Sequence, residues 1–227
     1  EKDNWVFNLL PGEGRSMRKF EFKPIDVSKY AHEYLFDRSN KVLLMSATIL
    51  DRDAFCHLLG IPIDNCEFIS LPSPFPIENK PIITAGIGKM SAKHIEKTLP
   101  RLVSAVESII SEHSNEKGII HCHSYKIAHY LKKNIRVGKH RLIFHTSEDR
   151  DEALERHKNI DKPTILLSPS MTEGVDLKDD LSRFQIICKI PYPYLGDKLI
   201  RKKMNKWKWW YPLQTAKTII QSILECL

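Results

Sequence analysis

The sequence has few cysteines and no long apolar run, and these absences exclude several classes of protein. Its 5 cysteines lie far apart, and no two are separated by only two residues, so neither a disulfide framework nor a metal site built on cysteine pairs is indicated. No stretch of about 18 apolar residues could cross a membrane, and the chain does not open on a charged and then apolar leader. We therefore expect no secretion, no membrane partner and a reducing location: the cytoplasm, in association with the nucleoid, or the nucleus.

The motifs that grip a nucleoside triphosphate are also missing. The chain has no G-x-x-x-x-G-K-[ST] loop, whose amides and lysine hold phosphates, and no Asp-Glu-x-His box for magnesium. The segment Gly86-Ile-Gly-Lys-Met-Ser91 resembles such a loop but lacks the first glycine at the required spacing. We therefore interpret it as a loop that enters a helix.

The composition is that of a folded domain with an excess of positive charge. Hydrophobic residues make up 42% of the 227 residues, which is enough for a core without disulfides or metals. The 35 Lys and Arg exceed the 28 Asp and Glu and give a net charge of +7. This excess favours a polyanionic partner such as nucleic acid, although proteins without such a partner also carry it.

The apolar pattern alternates between strands and helices. The run Lys41–Met45 predicts a strand, the pattern of Asp51–Leu59 predicts a helix that stops at Gly60, and the prolines between residues 62 and 82 predict an extended connector. Further strands are predicted at 118–123, 141–144, 163–167 and 183–190, and further helices at 91–111, 126–133, 150–158 and 213–224. Such alternation is typical of βαβ units, so we predict an α/β fold with a mainly parallel sheet.

Three predicted strands end in hydroxyl-bearing or charged residues, at the place where a parallel sheet binds its ligand. These ends are Ser46–Thr48, His123–Lys126 and Ser168–Asp176. Hydroxyls and free backbone amides can hold a phosphate without reading a base. The simpler interpretation is that each Ser or Thr caps the helix that follows, which is their commonest role. Three such ends in one chain favour a phosphorylated ligand.

Six motifs carry a resemblance to a known family. In chain order they are Leu44-Met-Ser-Ala-Thr-Ile-Leu50, Ser73-Pro-Phe-Pro76, Gly118-Ile-Ile-His-Cys-His-Ser-Tyr125, Thr172-Glu-Gly-Val-Asp-Leu177, Lys189-Ile-Pro-Tyr-Pro193 and Gln221-Ser-Ile223. Together they closely resemble the C-terminal half of superfamily 2 DNA helicases of the XPD/DinG family. The resemblance implies a RecA-like fold, a three-layer sandwich of the P-loop NTPase type, here without its own phosphate-binding loop.

The resemblance also implies roles for individual residues. Ser46, Ala47 and Thr48 match motif III, which couples the nucleotide site to the nucleic-acid surface. The residues implied to bind nucleic acid, at motifs IV and V, are Ser124, Tyr125, Lys126, Ser168, Ser170 and Thr172. Gly174 and Asp176 match the motif V positions that face the nucleotide, and Gln221 matches the start of motif VI.

The family's catalytic set is incomplete in this sequence. After Gln221 the family pattern continues Gly-Arg-x-x-Arg, whereas the chain reads Leu224-Glu225 and stops at Leu227, so the arginine finger is missing. The resemblance therefore implies the end of a first motor domain in residues 1–69 and a second motor domain, cut within motif VI, in residues 70–227. ATP and Mg²⁺ would be held jointly with the missing part of the first motor domain. A 4Fe-4S cluster, where relatives have one, would lie upstream, because this chain has no ligands for it.

Two functions remain as alternatives. The first is an ATP-dependent helicase that moves 5′ to 3′ on single-stranded DNA, of which this chain alone would not hydrolyse ATP. The second is a nucleic-acid-binding or regulatory module that keeps a helicase-like fold without a motor. A G-x-x-x-x-G-K-[ST] loop upstream and a Gly-Arg-x-x-Arg motif downstream in the gene would favour the first function over the second. Neither motif would distinguish a helicase from a nuclease or an NTPase built on the same motor.

Two further clusters allow more than one interpretation. His121 and His123 would share one face of a strand with Cys122 opposite, so three convergent ligands are not expected and we predict no metal site. The segment from Lys198 to Tyr211 interleaves cations with tryptophans, a composition that suits nucleic acid. It equally suits a helix whose tryptophans pack inward while its lysines lie in solvent.

Overall fold

The structure is a computed structural model that describes residues 2–10, 18–73, 76, 78, 81–171 and 175–224. Its contacts divide the chain into two compact units. The first comprises residues 1–72 and 192–217, and the second comprises residues 73–191 and 218–227. Residues 192–217 thus group with the first unit, while the assignment of 1–69 and 70–227 to two motor domains stays a prediction.

The main strands and helices follow one another in this order along the chain. They are β1 (Trp5–Leu10), β2 (Lys19–Pro24), α1 (Ser28–Ala31), α2 (Arg52–Leu59), α3 (Ile95–Glu112), β3 (Gly118–His121), α4 (Tyr125–Asn134), β4 (Leu142–Phe144), α5 (Arg150–Asn159), β5 (Ile165–Ser168), β6 (Phe184–Ile187), α6 (Lys198–Lys206) and α7 (Trp210–Leu224). Helix α1 continues as a π-helical turn, His32–Phe36. None of the helices in the described part of the chain is both long and apolar enough to cross a membrane.

The first unit begins with a β-hairpin that is not among the strands predicted above. Strands β1 and β2 pair antiparallel, with Phe7 opposite Phe22. Successive residues of a strand face opposite sides, so Val6 is buried whereas Phe7 is 55% exposed. The run Trp5-Val-Phe-Asn-Leu-Leu10 places apolar residues on both faces, so no apolar–polar alternation marks it as a strand.

Helix α2 has the ends that its sequence predicts. Asp51 precedes the helix, and its Oδ1 accepts a hydrogen bond of 2.7 Å from the Ala54 amide. Gly60 follows the helix with a φ of 70°, and its amide donates to the His57 carbonyl. A Cβ at Gly60 would lie 2.8 Å from the Ser28 carbonyl oxygen, so both the backbone conformation and the available space require glycine.

The predicted strand at Lys41–Met45 is wrong. Residues 41–46 form no strand and join neither sheet, and Leu43 and Met45 are 80% and 83% exposed. An apolar run becomes a strand only beside a partner strand that satisfies its backbone groups. None of the residues that the structure describes supplies that partner.

The core of the first unit joins the hairpin to residues far along the chain. Val6 and Ile25 pack with Trp207 and Trp210 in one buried cluster. The interpretation in which tryptophans pack inward is therefore correct for these two residues. Trp209, by contrast, keeps 36% of its surface exposed.

An ion pair beside this cluster links α6 to the residues that follow β2. Lys206 Nζ lies 2.6 Å from Asp26 Oδ2. Burial raises the pKa of the Asp26 carboxyl, but hydrogen bonds from Lys206 and Ser28 outweigh this effect and lower the pKa to about 2. The Asp26 carboxyl therefore stays ionised across the physiological pH range.

The second unit is built on a four-stranded sheet with the strand order β4-β5-β3-β6, in which every pairing is parallel. His121 at the end of β3 lies opposite Ser168 of β5 on one side and Ile187 of β6 on the other. Phe144 at the end of β4 lies opposite Leu167. The carboxyl ends of all four strands therefore share one edge, and the predicted parallel α/β sheet is confirmed.

Helices cover both faces of this sheet. On one face Ile120 and Leu167 pack against α3 and α4, and on the other Ile119 and Leu166 pack against Leu154 of α5. Both faces are apolar, as expected for a buried parallel sheet. The predicted three-layer architecture is confirmed, and the predicted strands and helices of this unit are present with boundaries shifted by a few residues.

A buried arginine fastens α3 to the sheet. Arg141 is 6% exposed, and its guanidinium donates to four carbonyl oxygens: Pro163 (2.5 Å), Ile110 (3.3 Å), His113 (2.9 Å) and Glu116 (2.6 Å). Three of these carbonyls lie in the last turn of α3 or just after it, where the helix dipole favours a cation. Burial lowers the pKa of Arg141, and the carbonyls replace the hydration that the charge has lost.

Candidate functional site

The carboxyl edge of the sheet in the second unit collects polar residues from all four strands. His123–Lys126 follows β3, His145 follows β4, Ser168 ends β5 and Lys189 follows β6. Because parallel strands present their carboxyl ends on the same side, these residues line one edge. The structure thus places the described residues of motifs IV and V at the same edge of the sheet.

Ser168 occupies the interior of this edge. It is 1% exposed, and its Oγ accepts a hydrogen bond of 2.8 Å from the Met171 amide. The same Oγ lies 2.9 Å from His145 Nε2, while His145 Nδ1 lies 2.7 Å from the Thr146 carbonyl oxygen. With Nδ1 donating to that carbonyl, Nε2 accepts a hydrogen bond from the Ser168 hydroxyl. The hydroxyl therefore orders the loop after β5, and its predicted contact with nucleic acid stays a prediction.

His121 holds the same loop from the next strand. Its Nδ1 donates to the Met171 carbonyl oxygen at 3.0 Å. Burial lowers the pKa of His121 to about 4, so the ring is neutral near pH 7 and one nitrogen keeps its proton for this bond. Both backbone groups of Met171 are thereby fixed from the interior. Sequence reasoning weighed His121 only as a metal ligand and missed this positioning role.

The loop turns two polar side chains outward. Val175 and Leu177 are buried on the face of the sheet that α5 covers, so Asp176 between them points away from the core. Asp176 is exposed and lies 3.9 Å from Lys178 Nζ, and Ser170 is also exposed. Both are therefore accessible to a ligand. The other two predicted residues of this loop, Thr172 and Gly174, lie outside the described residues.

The start of α4 presents the motif IV residues. Ser124 has extended backbone, and among the described atoms its hydroxyl makes no capping bond to α4, so helix capping does not account for it. Tyr125 is 41% exposed, and Lys126 forms an exposed ion pair with Glu96 of α3. Exposed ion pairs contribute little, so a phosphate can compete for this lysine. A hydroxyl, a cation and the amides of the first helical turn together suit an anionic ligand.

Two further basic residues at this edge were not predicted as ligands. Lys189 is half-buried, which lowers its pKa. His123 has a φ of 48°, its ring stacks on His121 with centroids 5.8 Å apart, and its pKa is lowered to about 4 by burial and then by His121 and Lys189. His145 could have been found from its position just after the predicted strand 141–144, whereas Lys189 lies inside the predicted strand 183–190 and carried no such signal. Within the described part of the chain no group of His, Cys, Asp and Glu residues is arranged to hold a metal ion.

The motif III residues belong to the first unit. Ser46 and Ala47 are exposed, whereas Thr48 is 3% exposed and its amide donates to Ser46 Oγ at 3.2 Å. Ser46 and Thr48 line a cavity of about 330 Å³ whose other walls come mainly from apolar residues of α2 and of the segment before it. The Ser46 and Thr48 hydroxyls thus lie beside a mainly apolar cavity within this unit.

Gln221 lies in the last turn of α7, in the part of that helix that belongs to the second unit. Its side chain is half-buried. Gln185 of β6 donates from Nε2 to the Ile223 carbonyl oxygen at 3.2 Å, which ties this end of α7 to the sheet. The predicted nucleotide-facing role of Gln221 stays a prediction.

Comparison with known proteins gives consistent matches. Residues 107–223, just over half of the chain, match the family described as helicase C-terminal domain. The chain is 28% identical over 202 residues to the ATP-dependent DNA helicase DinG of Photobacterium profundum, which covers 83% of this chain and 28% of the relative. It is 21% identical over 184 residues to the ATP-dependent DNA helicase YoaA of Escherichia coli, which covers 80% of this chain and 29% of that relative. The chain therefore spans less than a third of the length of these relatives.

Proposed function

The chain belongs to the helicase C-terminal domain family, as its resemblance to XPD/DinG helicases predicted, and on this premise we propose that it works as the second RecA-like motor domain of an ATP-dependent DNA helicase. We further propose that the complete enzyme moves 5′ to 3′ along single-stranded DNA. The observation that carries the proposal is the carboxyl edge of the sheet, where exposed Ser170, Tyr125 and Lys126 lie together with exposed Asp176. A DNA track would place the protein at the chromosome, in the nucleoid or the nucleus.

The track contacts are proposed at the start of α4 and in the loop after β5. Ser124, Lys126 and Ser170 offer hydroxyls and a cation, which grip phosphates without distinguishing bases. Tyr125 offers an exposed ring on which any base can stack. Binding of this kind is independent of sequence and weakens steeply as salt concentration rises.

The nucleotide contact is proposed at Asp176. Its neighbours Val175 and Leu177 are 2% and 0% exposed, so the carboxylate is held outward on a fixed backbone. This residue fits one wall of an ATP site, while the phosphate loop and the magnesium carboxylates would belong to the first motor domain. Bound ATP and Mg²⁺ would supply the phosphoryl transfer. Once the transfer is complete, the first and second motor domains can separate. Within this chain, the role of Asp176 is to orient the nucleotide or the arginine that approaches it.

The missing part of the first motor domain is proposed as the partner of residues 41–48. The apolar run 41–45 is exposed and Ser46 and Ala47 follow it, so a neighbouring strand of that domain would cover the run and fix the two residues after it. Motif III would then sense the nucleotide through its own backbone. We assign no residue of this chain to an iron–sulfur cluster.

Two polypeptides test the proposal. This chain alone is expected to bind fluorescein-labelled oligothymidylate, measured by fluorescence anisotropy, and to show no ATP turnover. A longer polypeptide from the same gene, with the first motor domain included, is expected to hydrolyse ATP faster when single-stranded DNA is added. ATP turnover by this chain alone, or a longer polypeptide that is inert towards ATP, would contradict the proposal.

Variants of α4 test where DNA binds. Tyr125→Ala combined with Lys126→Ala is expected to weaken binding to oligothymidylate about tenfold, because a stacking contact and a phosphate contact are lost together. Lys133→Ala, at the other end of the same helix, is the matched control and should bind like the wild type. Equal affinities of the two variants would remove α4 from the DNA path.

A further inference from the structure

Helix α6 carries cations on two faces that have different surroundings. Towards the core of the first unit, half-buried Lys203 lies 5.7 Å from the Trp210 ring centroid. Lys206 is exposed, but it pairs with Asp26 and lies 4.7 Å from the Trp207 ring centroid. These two cations are committed to the core of the first unit. Their role is structural.

The outer face of α6 carries a second set of polar residues. Lys198, Arg201, Lys202 and Asn205 follow the spacing i, i+3, i+4, i+7, which places them on one side of the helix, and all four are exposed. Among the residues that the structure describes, no carboxylate forms an ion pair with these three cations. A rise of about 6 Å separates Lys198 from Lys202, so successive phosphates of an extended strand can each meet a cation.

Aromatic residues face this set of polar residues on α6. Trp5 and Phe7 of β1 line the same groove as Lys198, Arg201, Lys202 and Asn205, and the groove has a volume of about 370 Å³. Phe7 is 55% exposed, and it is held in place by an edge-to-face contact with Phe22, whose ring centroid lies 5.1 Å away. The groove therefore has a cationic wall and an aromatic wall, and none of the described residues that line it is a carboxylate.

We propose that this groove, named here the α6–β1 groove, is a second binding site for single-stranded nucleic acid, separate from the edge of the sheet in the second unit. Cations bind the sugar–phosphate backbone, and a fixed exposed ring stacks a base of any identity. An acidic peptide would satisfy the cations but would leave Phe7 without a planar partner. This inference rests on the proposed function, because it assumes that single-stranded DNA is the track.

The test compares two triple variants of this chain that lose the same charge. The first is Lys198→Ala, Arg201→Ala, Lys202→Ala, which removes the three cations of the groove. The control is Lys133→Ala, Lys139→Ala, Lys162→Ala, whose residues are exposed and lie towards the amino ends of the strands in the second unit. Anisotropy titrations with labelled oligothymidylate of about 20 nucleotides are run at about 50 mM and about 200 mM NaCl, and thermal unfolding followed by circular dichroism checks the fold.

The groove variant is expected to bind about tenfold or more weakly at the lower salt concentration. Its slope of log affinity against log salt concentration should be shallower by about two, because each lost contact with a single strand removes about 0.7. The control variant should keep most of the wild-type slope. Phe7→Ala is expected to weaken binding several-fold with the slope unchanged, because a stacking contact releases no counterion.

Photo-crosslinking locates the contact directly. An oligonucleotide carrying 5-iodouracil is irradiated with the wild-type chain, and the crosslinked tryptic peptides are identified by mass spectrometry. A crosslink to Trp5 or Phe7, in the peptide of residues 3–15, is the expected result. Crosslinks confined to Tyr125, with the groove variant binding like the control, would overturn the second site and leave the proposed function intact. A wild-type chain that binds no DNA at all would overturn the proposed DNA contacts of both units.

Discussion

Ser168 Oγ lies 2.9 Å from His145 Nε2 and accepts a hydrogen bond from the Met171 amide. One buried hydroxyl thereby joins the carboxyl ends of β4 and β5 to the loop that carries Ser170 and Asp176. The exposed residues proposed to meet DNA and ATP are thus positioned by hydrogen bonds in the interior. Loss of the buried partners should disturb the site without removing any of its exposed residues.

Ser168→Ala is expected to lower the free energy of unfolding by about 1 to 3 kcal/mol, because the Met171 amide and His145 Nε2 lose their partner in a buried place. Hydrogen exchange over residues 168–177 should accelerate, as measured by mass spectrometry. Ser170→Ala is the control: the residue is exposed, so stability should change by less than about 0.5 kcal/mol. Equal stabilities of the two variants in urea would show that the Ser168 hydrogen bonds do not hold the loop.

The free energy of unfolding is expected to fall as the solution is acidified. Burial lowers the pKa of both His121 and His157 to about 4, whereas an unfolded imidazole titrates near 6.5. Between these values the unfolded chain binds protons that the native chain does not, so this stability is complete above about pH 6.5 and is lost towards pH 4. Each histidine contributes a slope of up to about 1.4 kcal/mol per pH unit within that window.

Urea unfolding between pH 7.5 and pH 4.5 measures this slope. His157→Gln should make it shallower by one histidine's contribution, because the buried ring between Thr164 and Leu181 is removed. His140→Gln changes an exposed residue and should leave the slope as in the wild type. A free energy that is the same at both ends of the range would refute the expectation.

Arg141→Ala is expected to destabilise the chain by about 3 kcal/mol or more, because four carbonyl oxygens lose their donor and a cavity replaces a buried side chain. Arg141→Lys should recover little of the loss, since one ammonium cannot reach carbonyls that a planar guanidinium bridges. Arg136→Ala, at an exposed position nearby in the chain, is the control. Thermal unfolding of the three variants measures these effects. A melting temperature of Arg141→Ala close to that of Arg136→Ala would contradict the stabilising role of Arg141.

Asp176→Ala is expected to reduce ATP turnover about tenfold or more in the longer polypeptide that contains the first motor domain, because the nucleotide loses an orienting contact. The fold and most of the DNA affinity should persist, since Asp176 is exposed and its ion pair with Lys178 is a weak surface contact. Asp161→Ala is the control, because Asp161 is also exposed but precedes β5 at the opposite edge of the sheet. Unchanged turnover in Asp176→Ala would remove the residue from the nucleotide site.

The sheet of the second unit could be predicted because each of its strands is a short apolar run between helical patterns. The hairpin of the first unit was missed because its first strand, Trp5-Val-Phe-Asn-Leu-Leu10, has no alternation, although two signals were present: Pro11-Gly12 marks a turn, and Lys19-Phe-Glu-Phe-Lys23 alternates polar and apolar residues. The error at Lys41–Met45 has a different cause: composition reports the propensity of a segment for strand, whereas pairing depends on a neighbour that lies elsewhere.

The site could be predicted in outline and not in detail. The positions after β3 and β5 were found because hydroxyls follow apolar runs there. The burial of Ser168 and its bond to His145 could not be found, because the two residues are 23 positions apart and meet only when β4 and β5 pair. The same holds for the α6–β1 groove, whose two walls come from opposite ends of the chain.

The exposed apolar run 41–45 has a practical consequence for the purified chain. An exposed apolar segment with no strand beside it, among those the structure describes, can pair with the same segment of another copy. Such pairing is intermolecular and grows with concentration, so the chain should become turbid at high concentration and should be handled dilute. A charged residue in place of Leu43 or Met45 would raise that solubility limit without touching the core.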